Sequence, residues 1–169
     1  MNTQLHHNNT EFVKKHFPIT ILCDRVNSPA NIGSIFRVAD SFGVEQILFC
    51  GKNLTIISKR MIRTARSTHQ IVPHQIHENS VNTLKTLKEN GYYIVALEIT
   101  QNSTPIQQLR LPKLSKIALI IGEENFGIAE DLLQLADCIT HINMYGNNSS
   151  MNVATATGIA LYELTNQLT

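Results

Sequence analysis

Apolar residues follow two rhythms along this chain. Short runs rich in Ile, Val and Leu alternate with stretches whose apolar positions fall three and four residues apart. The runs ITILCDRV (19–26), VEQILFC (44–50), YYIVALEIT (92–100), KIALIIG (116–122) and CITHINM (138–144) predict strands. QIVPHQI (70–76) predicts a weaker one, because Pro73 confines it to the edge or the end of a sheet. Helices are predicted from about Asn31 to Phe42, closed by Gly43, and from Ser80 to Asn90, closed by Gly91. Ser58 to Arg66, Ala129 to Leu135 and Asn152 to Asn166 predict three more, and 101–115 reads as loop or short turns. On the closing helix Val153, Ala156, Ala160, Leu161 and Leu164 fall on one face. Strands alternating with helices predict an α/β fold, with a mostly parallel sheet and helices on both faces.

At 169 residues the chain has room for one domain with a real core. Residues 1–17 read as a polar lead-in and 18–169 as the domain. A hydrophobic content of 43% with 16% charged residues is that of a globular protein, not a disordered one. The lead-in has no apolar stretch of the kind a secretory signal needs, and no run approaches the length of a membrane span. Cys23, Cys50 and Cys138 are odd in number and lack CxxC spacing, so they are expected as buried, reduced thiols in a cytoplasmic protein. The seven histidines include no HxxxH or HExxH pair, and no metal site is expected.

A net charge of +1 argues against holding nucleic acid by bulk charge. It leaves room for a local patch, and SKRMIRTARS supplies Lys59, Arg60, Arg63 and Arg66. These read equally well as a solvated helix face or as an RNA-facing one.

Three blocks carry candidate chemistry. NSPANIGSIFRVADSFG holds Asn31, Gly33 and Arg37; on a helix, Ile32, Ile35, Phe36 and Ala39 form its apolar face and Arg37 points away. Gly33, one turn before Arg37, is expected to leave an open surface beneath the guanidinium, and Ser28 or Asn31 to cap the helix. IIGEENFG follows an apolar strand, and its Gly122 and Gly127 allow a ligand close to the backbone. Its spacing matches half of a P-loop, but Ile128 and Ala129 stand where Lys and Ser or Thr are needed. INMYGNNSSMNVATATGIALYEL runs from a strand through a polar loop to the closing helix, with Ser150, Met151 and Asn152 at the hinge.

In this order and at these separations the three blocks resemble the motifs of the SpoU (TrmH-like) RNA 2′-O-ribose methyltransferases, members of the knotted SPOUT class. The resemblance spans about 19–166. It implies a C-terminal deep trefoil knot and S-adenosyl-L-methionine as cofactor, touched by backbone near Leu97, Gly122, Ile142 and Met144 and by Ser150 and Met151. It implies Asn31, Arg37, Glu124, Ser150 and Asn152 as the catalytic set. It also implies a homodimer through the first and last helices, with tRNA or rRNA as substrate. Two positions depart from the family pattern: Asn143 stands where a proline is usual, and Met151 where a leucine is. Arginine is almost never deprotonated, so Arg37 is expected to clamp the phosphate beside the target ribose rather than act as a free base. No separate RNA-binding segment is visible, which tilts the expected substrate to tRNA. The rival readings are a non-catalytic RNA-binding or ribosome-assembly factor on the same fold, and an enzyme that methylates a base nitrogen.

Overall fold

A computed structural model describes residues 12–113 and 115–169. The polar lead-in therefore falls outside the described residues up to position 11. Seven strands form one sheet in the order β3-β2-β1-β6-β4-β7-β5. They are β1 (Phe17–Asp24), β2 (Val44–Cys50), β3 (His74–His77), β4 (Tyr92–Leu97), β5 (Thr104–Pro105), β6 (Lys116–Gly122) and β7 (Cys138–His141). Every pairing is parallel. The α/β reading holds, and the sheet is more uniformly parallel than expected. Among the described residues five α-helices accompany the sheet: α1 (Pro29–Ser41), α2 (Lys59–Ala65), α3 (Ser80–Glu89), α4 (Glu130–Leu135) and, after the last strand, α5 (Val153–Gln167).

Parallel strands are buried on both faces, and the core divides accordingly. Ile21, Cys23, Phe49 and Leu119 turn toward α1, α2 and α5, while Leu22, Leu48, Ala118 and Ile120 turn toward α3 and α4. The apolar face foreseen for α1 is the buried one: Ile32, Ile35, Phe36 and Ala39 are all within 1% of full burial. Pro73 immediately precedes β3, which is an edge strand, and its carbonyl accepts from Ile47 N at 2.9 Å.

Several boundaries and roles differ from expectation. β1 ends at Asp24 because Arg25 takes a left-handed φ of 58°. α1 begins at Pro29, a residue suited to the first helical position. Asn31 is therefore inside the first turn rather than capping it, and Ser28 caps through its backbone alone. β7 stops at His141, so Ile142 and Met144 lie in the following loop and not in the strand. The 101–115 loop contains the edge strand β5, held by Thr140 Oγ1 donating to Thr104 O at 2.9 Å. On α5 the buried stripe is Ala154, Thr157, Ala160, Leu161, Leu164 and Thr165. Val153 packs against the same core from the helix start, while Ala156 at the edge of the stripe is half-buried.

Gly33 is the clearest correction. A Cβ at this position would collide with Thr64 Oγ1 and stand 2.5 Å from Met61 O and 2.9 Å from Ala65 N. The missing side chain admits α2 against α1; it does not open a surface under Arg37.

Candidate active site

In parallel α/β sheets ligands bind beyond the carboxyl ends of the strands, where successive connections run in different directions. Here β6 ends at Gly122, β4 at Leu97 and β7 at His141, and a cleft of about 840 Å³ opens above these ends. All six residues expected to hold a cofactor line it: Leu97, Gly122, Ile142, Met144, Ser150 and Met151. Glu124 and Asn152 line it too.

Asn152 joins the three sequence blocks. It is the N-cap of α5, and its Oδ1 accepts from Ala154 N at 3.0 Å and Thr155 N at 3.3 Å. That uses the oxygen for the unsatisfied amides of the helix start. It turns Nδ2 outward, to donate to Asn31 Oδ1 at 2.9 Å and to Glu124 Oε1 at 3.2 Å. Asn31 is only 7% exposed. One amide thus links the first helix, the turn after β6 and the last helix.

The Glu124 turn depends on its glycines. Gly127 has φ 64°, and its N–H donates to Glu123 O at 2.8 Å to close the turn. A Cβ on Gly122 would strike the backbone of Gly127 and Ile128. Glu124, Asn125 and Phe126 are left exposed at the tip.

Other wall residues were not singled out from the sequence: Glu98, Thr100, Phe126, His141 and Ala156. Glu98 and Thr100 follow β4 directly, so the rule of strand carboxyl ends was the available signal. Glu98 accepts from Ile99 N at 2.9 Å and from Ile128 N at 3.0 Å. Asn143, the departure from the family pattern, uses its side chain at the cleft rim. Its Oδ1 lies 3.1 Å from His141 Nε2, while His141 Nδ1 lies 2.9 Å from Ser103 Oγ. A proline there would not supply the contact to His141.

The cleft's chemistry is that of a site for an amphipathic cation. Leu97, Ile142, Met144 and Met151 provide apolar wall; Glu98, Glu123 and Glu124 provide carboxylates. Thr100 is also on the wall, and its Oγ1 is buried with no hydrogen-bond partner among the described residues.

Arg37 is not part of this cleft. It is exposed on α1 and absent from the lining of its own chain's pocket. Lys59, Arg60, Arg63 and Arg66 are also exposed, on and just after α2, which packs on α1. Arg66 caps that helix with φ 47°. The three cysteines are free thiols, two buried and Cys138 partly so. Burial pushes all three up in pKa, Cys50 to about 11, so they are protonated near neutrality. Among the described residues no group of His, Cys, Asp and Glu could hold a metal.

The sequence profile of the SpoU rRNA Methylase family matches residues 18–162. The chain belongs to the SpoU family. One relative, the 23S rRNA (guanosine(2553)-2'-O)-methyltransferase RlmP of Bacillus subtilis, is 29% identical over 144 residues, which are 85% of this chain and 56% of the relative. The chain thus spans little over half the length of that SpoU relative. The structure of an A. aeolicus TrmH/SpoU tRNA modifying enzyme superposes with a TM-score of 0.80 at 28% identity, over 91% of this chain and 77% of the other. That of an AdoMet-bound rRNA methyltransferase from Sinorhizobium meliloti gives 0.83 at 25% identity, over 94% and 59%. Among the described residues no SpoU-family helix here is long and apolar enough to cross a membrane.

Proposed function

We propose that this protein transfers a methyl group from S-adenosylmethionine to a ribose 2′-hydroxyl of tRNA or rRNA. The observation that carries the reading is the Asn152 node: the three motif blocks meet through one side chain at the mouth of a cleft lined by every residue assigned to the cofactor. The cofactor, when bound, supplies an electrophilic methyl on a sulfonium. Residues Leu97, Ile142, Met144 and Met151 pack the adenosine, and the carboxylates of Glu98, Glu123 and Glu124 favour the cationic end. Asn31, Ser150 and Asn152 orient the hydroxyl, since alignment of attacking and leaving atoms is what a displacement of this kind requires. Arg37 grips the adjacent phosphate through its planar fork and favours loss of the hydroxyl proton by proximity of charge. As the O–CH3 bond forms and the S–CH3 bond breaks, that proton passes to solvent water and S-adenosylhomocysteine departs.

Arg37 is exposed and does not line its own cleft, so the reading includes a homodimer built on α1 and α5. A two-fold contact there sets one protomer's Arg37 beside its partner's cleft. Tyr162 and Ile159 on α5, 61% and 39% exposed, are apolar surface for such a contact. The Lys59–Arg66 segments of two protomers then form the RNA-facing surface of a nearly neutral chain. The C-terminal trefoil knot of the family belongs to the same proposal: it is supported by β6 lying between β1 and β4 and by the polar loop that leads from β7 back to α5.

The test is incubation with methyl-labelled S-adenosylmethionine and bulk RNA, followed by digestion and identification of the nucleoside. A 2′-O-methyl nucleoside is expected. A labelled base would give the reaction to a ring nitrogen, and RNA retention without label would make the chain a binding or ribosome-assembly factor. Light scattering should return about twice the chain mass.

A further inference from the structure

The turn that carries Glu124 is gripped from outside by side chains that no motif contains. Arg25 Nη2 donates to Gly127 O at 3.1 Å. Asp24 Oδ2 accepts from Ala129 N at 3.1 Å, and Glu98 Oε2 from Ile128 N at 3.0 Å. Three consecutive residues, 127–129, are thus held by groups just beyond or at the ends of β1 and β4. Asp24 is 1% exposed and fully engaged: Arg25 donates to Oδ2 through Nε at 3.2 Å and Nη2 at 3.0 Å, and Ser80 Oγ donates to Oδ1 at 2.8 Å.

Arg25 is unusual in its backbone. A non-glycine residue at φ 58° is disfavoured, because its Cβ crowds the neighbouring carbonyl. The conformation aims the side chain from the end of β1 across β6 to the turn. A glycine would serve the backbone better and could make none of these bonds. More than half of the side chain's surface is buried, with 43% left exposed.

We propose that Arg25 is a positioning residue for the cofactor cleft. Its fork couples buried Asp24 to Gly127 O and so sets where Glu124 meets Asn152. This deepens the methyl-transfer reading and rests on it for the ligand, but the clamp is a property of the free protein.

Arg25→Gly is the decisive variant, since glycine accepts the left-handed conformation. In the 15N-labelled protein without ligand, amide exchange at Ile128 and Ala129 is expected to quicken tenfold or more, with the amides of β1 and β6 unchanged. By calorimetry, Kd for S-adenosylhomocysteine is expected to rise at least tenfold. Millimolar guanidinium chloride should recover part of that affinity in Arg25→Gly and none in wild type. Arg25→Lys should leave the turn loose, because a single ammonium cannot reproduce the fork. Unchanged exchange at 128–129 overturns the proposal, as does full affinity in Arg25→Lys. Loss of the cooperative fold in Arg25→Gly overturns it too, since Arg25 would then hold the sheet rather than the turn. If wild type itself fails to bind S-adenosylhomocysteine, the methyl-transfer reading falls and the exchange arm alone decides the clamp.

Discussion

The side-chain amide of Asn152 donates to the side-chain oxygen of Asn31 at 2.9 Å, across 121 positions of sequence. The other oxygen partner of the same amide is Glu124, and its own oxygen caps α5. Capping and site geometry therefore share one residue, and substitution can separate them. Asn152→Asp keeps an oxygen for Ala154 N and Thr155 N, and a negative charge at a helix start is favourable. It removes the donor and sets a carboxylate against Glu124. Stability within about 1 kcal/mol of wild type is expected by chemical denaturation, with methyl transfer cut by roughly tenfold or more. Asn152→Ala should lose the same activity and in addition about 1 kcal/mol for the cap. An active Asn152→Asp would reduce the residue to a helix cap.

Ser150 stands exposed at the hinge before α5 and lines the cleft. Ser150→Ala should lower the transfer rate by about tenfold, the order for a lost positioning hydrogen bond, with melting unchanged. A rate near wild type would leave it as a loop residue.

Arg37 lies outside the cleft lining. Arg37→Ala should abolish transfer while Kd for S-adenosylhomocysteine stays within about threefold, because a transition-state contact has been removed and not a cofactor contact. Arg37→Lys should fail as well, since a point charge lacks the fork. Mixing inactive Arg37→Ala with impaired Asn152→Asp should give more activity than the two homodimers account for, through hybrid dimers. No recovery in subunit-exchanged mixtures would place both roles in one protomer.

Gly33→Ala tests the α1–α2 contact. The added methyl meets Thr64 Oγ1 and the carbonyl of Met61 at 2.5 Å, and backbone cannot rotate away as a side chain can. A destabilisation of roughly 1–3 kcal/mol is expected, read as a fall of several degrees in Tm. An unchanged Tm would mean that α2 is free to shift.

Stability should fall at alkaline pH. Burial raises Cys50 from 9.0 to about 11, with the nearby Asp24 carboxylate adding to it and the Thr83 hydrogen bond opposing it. Cys23, Cys138 and Tyr93 move in the same direction. The folded state therefore keeps protons that the unfolded chain releases. For Cys50 the contribution is whole below pH 9 and is lost as pH climbs toward about 11. Tm measured from pH 8 to 11 should decline, and Cys50→Ala should decline less steeply. A flat profile would contradict the burial of these thiols.

The elements that sequence alone determined are those whose signals are local. Branched apolar runs, the helical spacing of Ile32, Ile35, Phe36 and Ala39, and a proline before β3 need only neighbours to be read, because burial on one face or two imposes the period. The proposed cofactor wall came from the family resemblance; Leu97, Gly122 and Ile142 stand at or just past strand ends, where a parallel sheet opens.

Tertiary structure decided what depends on meetings between distant segments. No period reveals that β6 would enter between β1 and β4 and so bring block two beside blocks one and three. Gly33 read as an opening because its helix was considered alone; α2, about thirty residues later, fills that space. Asp24, Arg25 and Glu98 belong to no motif, and their roles follow from hydrogen bonds spanning up to 105 positions. The exposure of Arg37, outside the lining of its own cleft, likewise follows from which face of α1 the core claims. Ile32, Ile35, Phe36 and Ala39 must be buried, and the residues between them take the directions that remain.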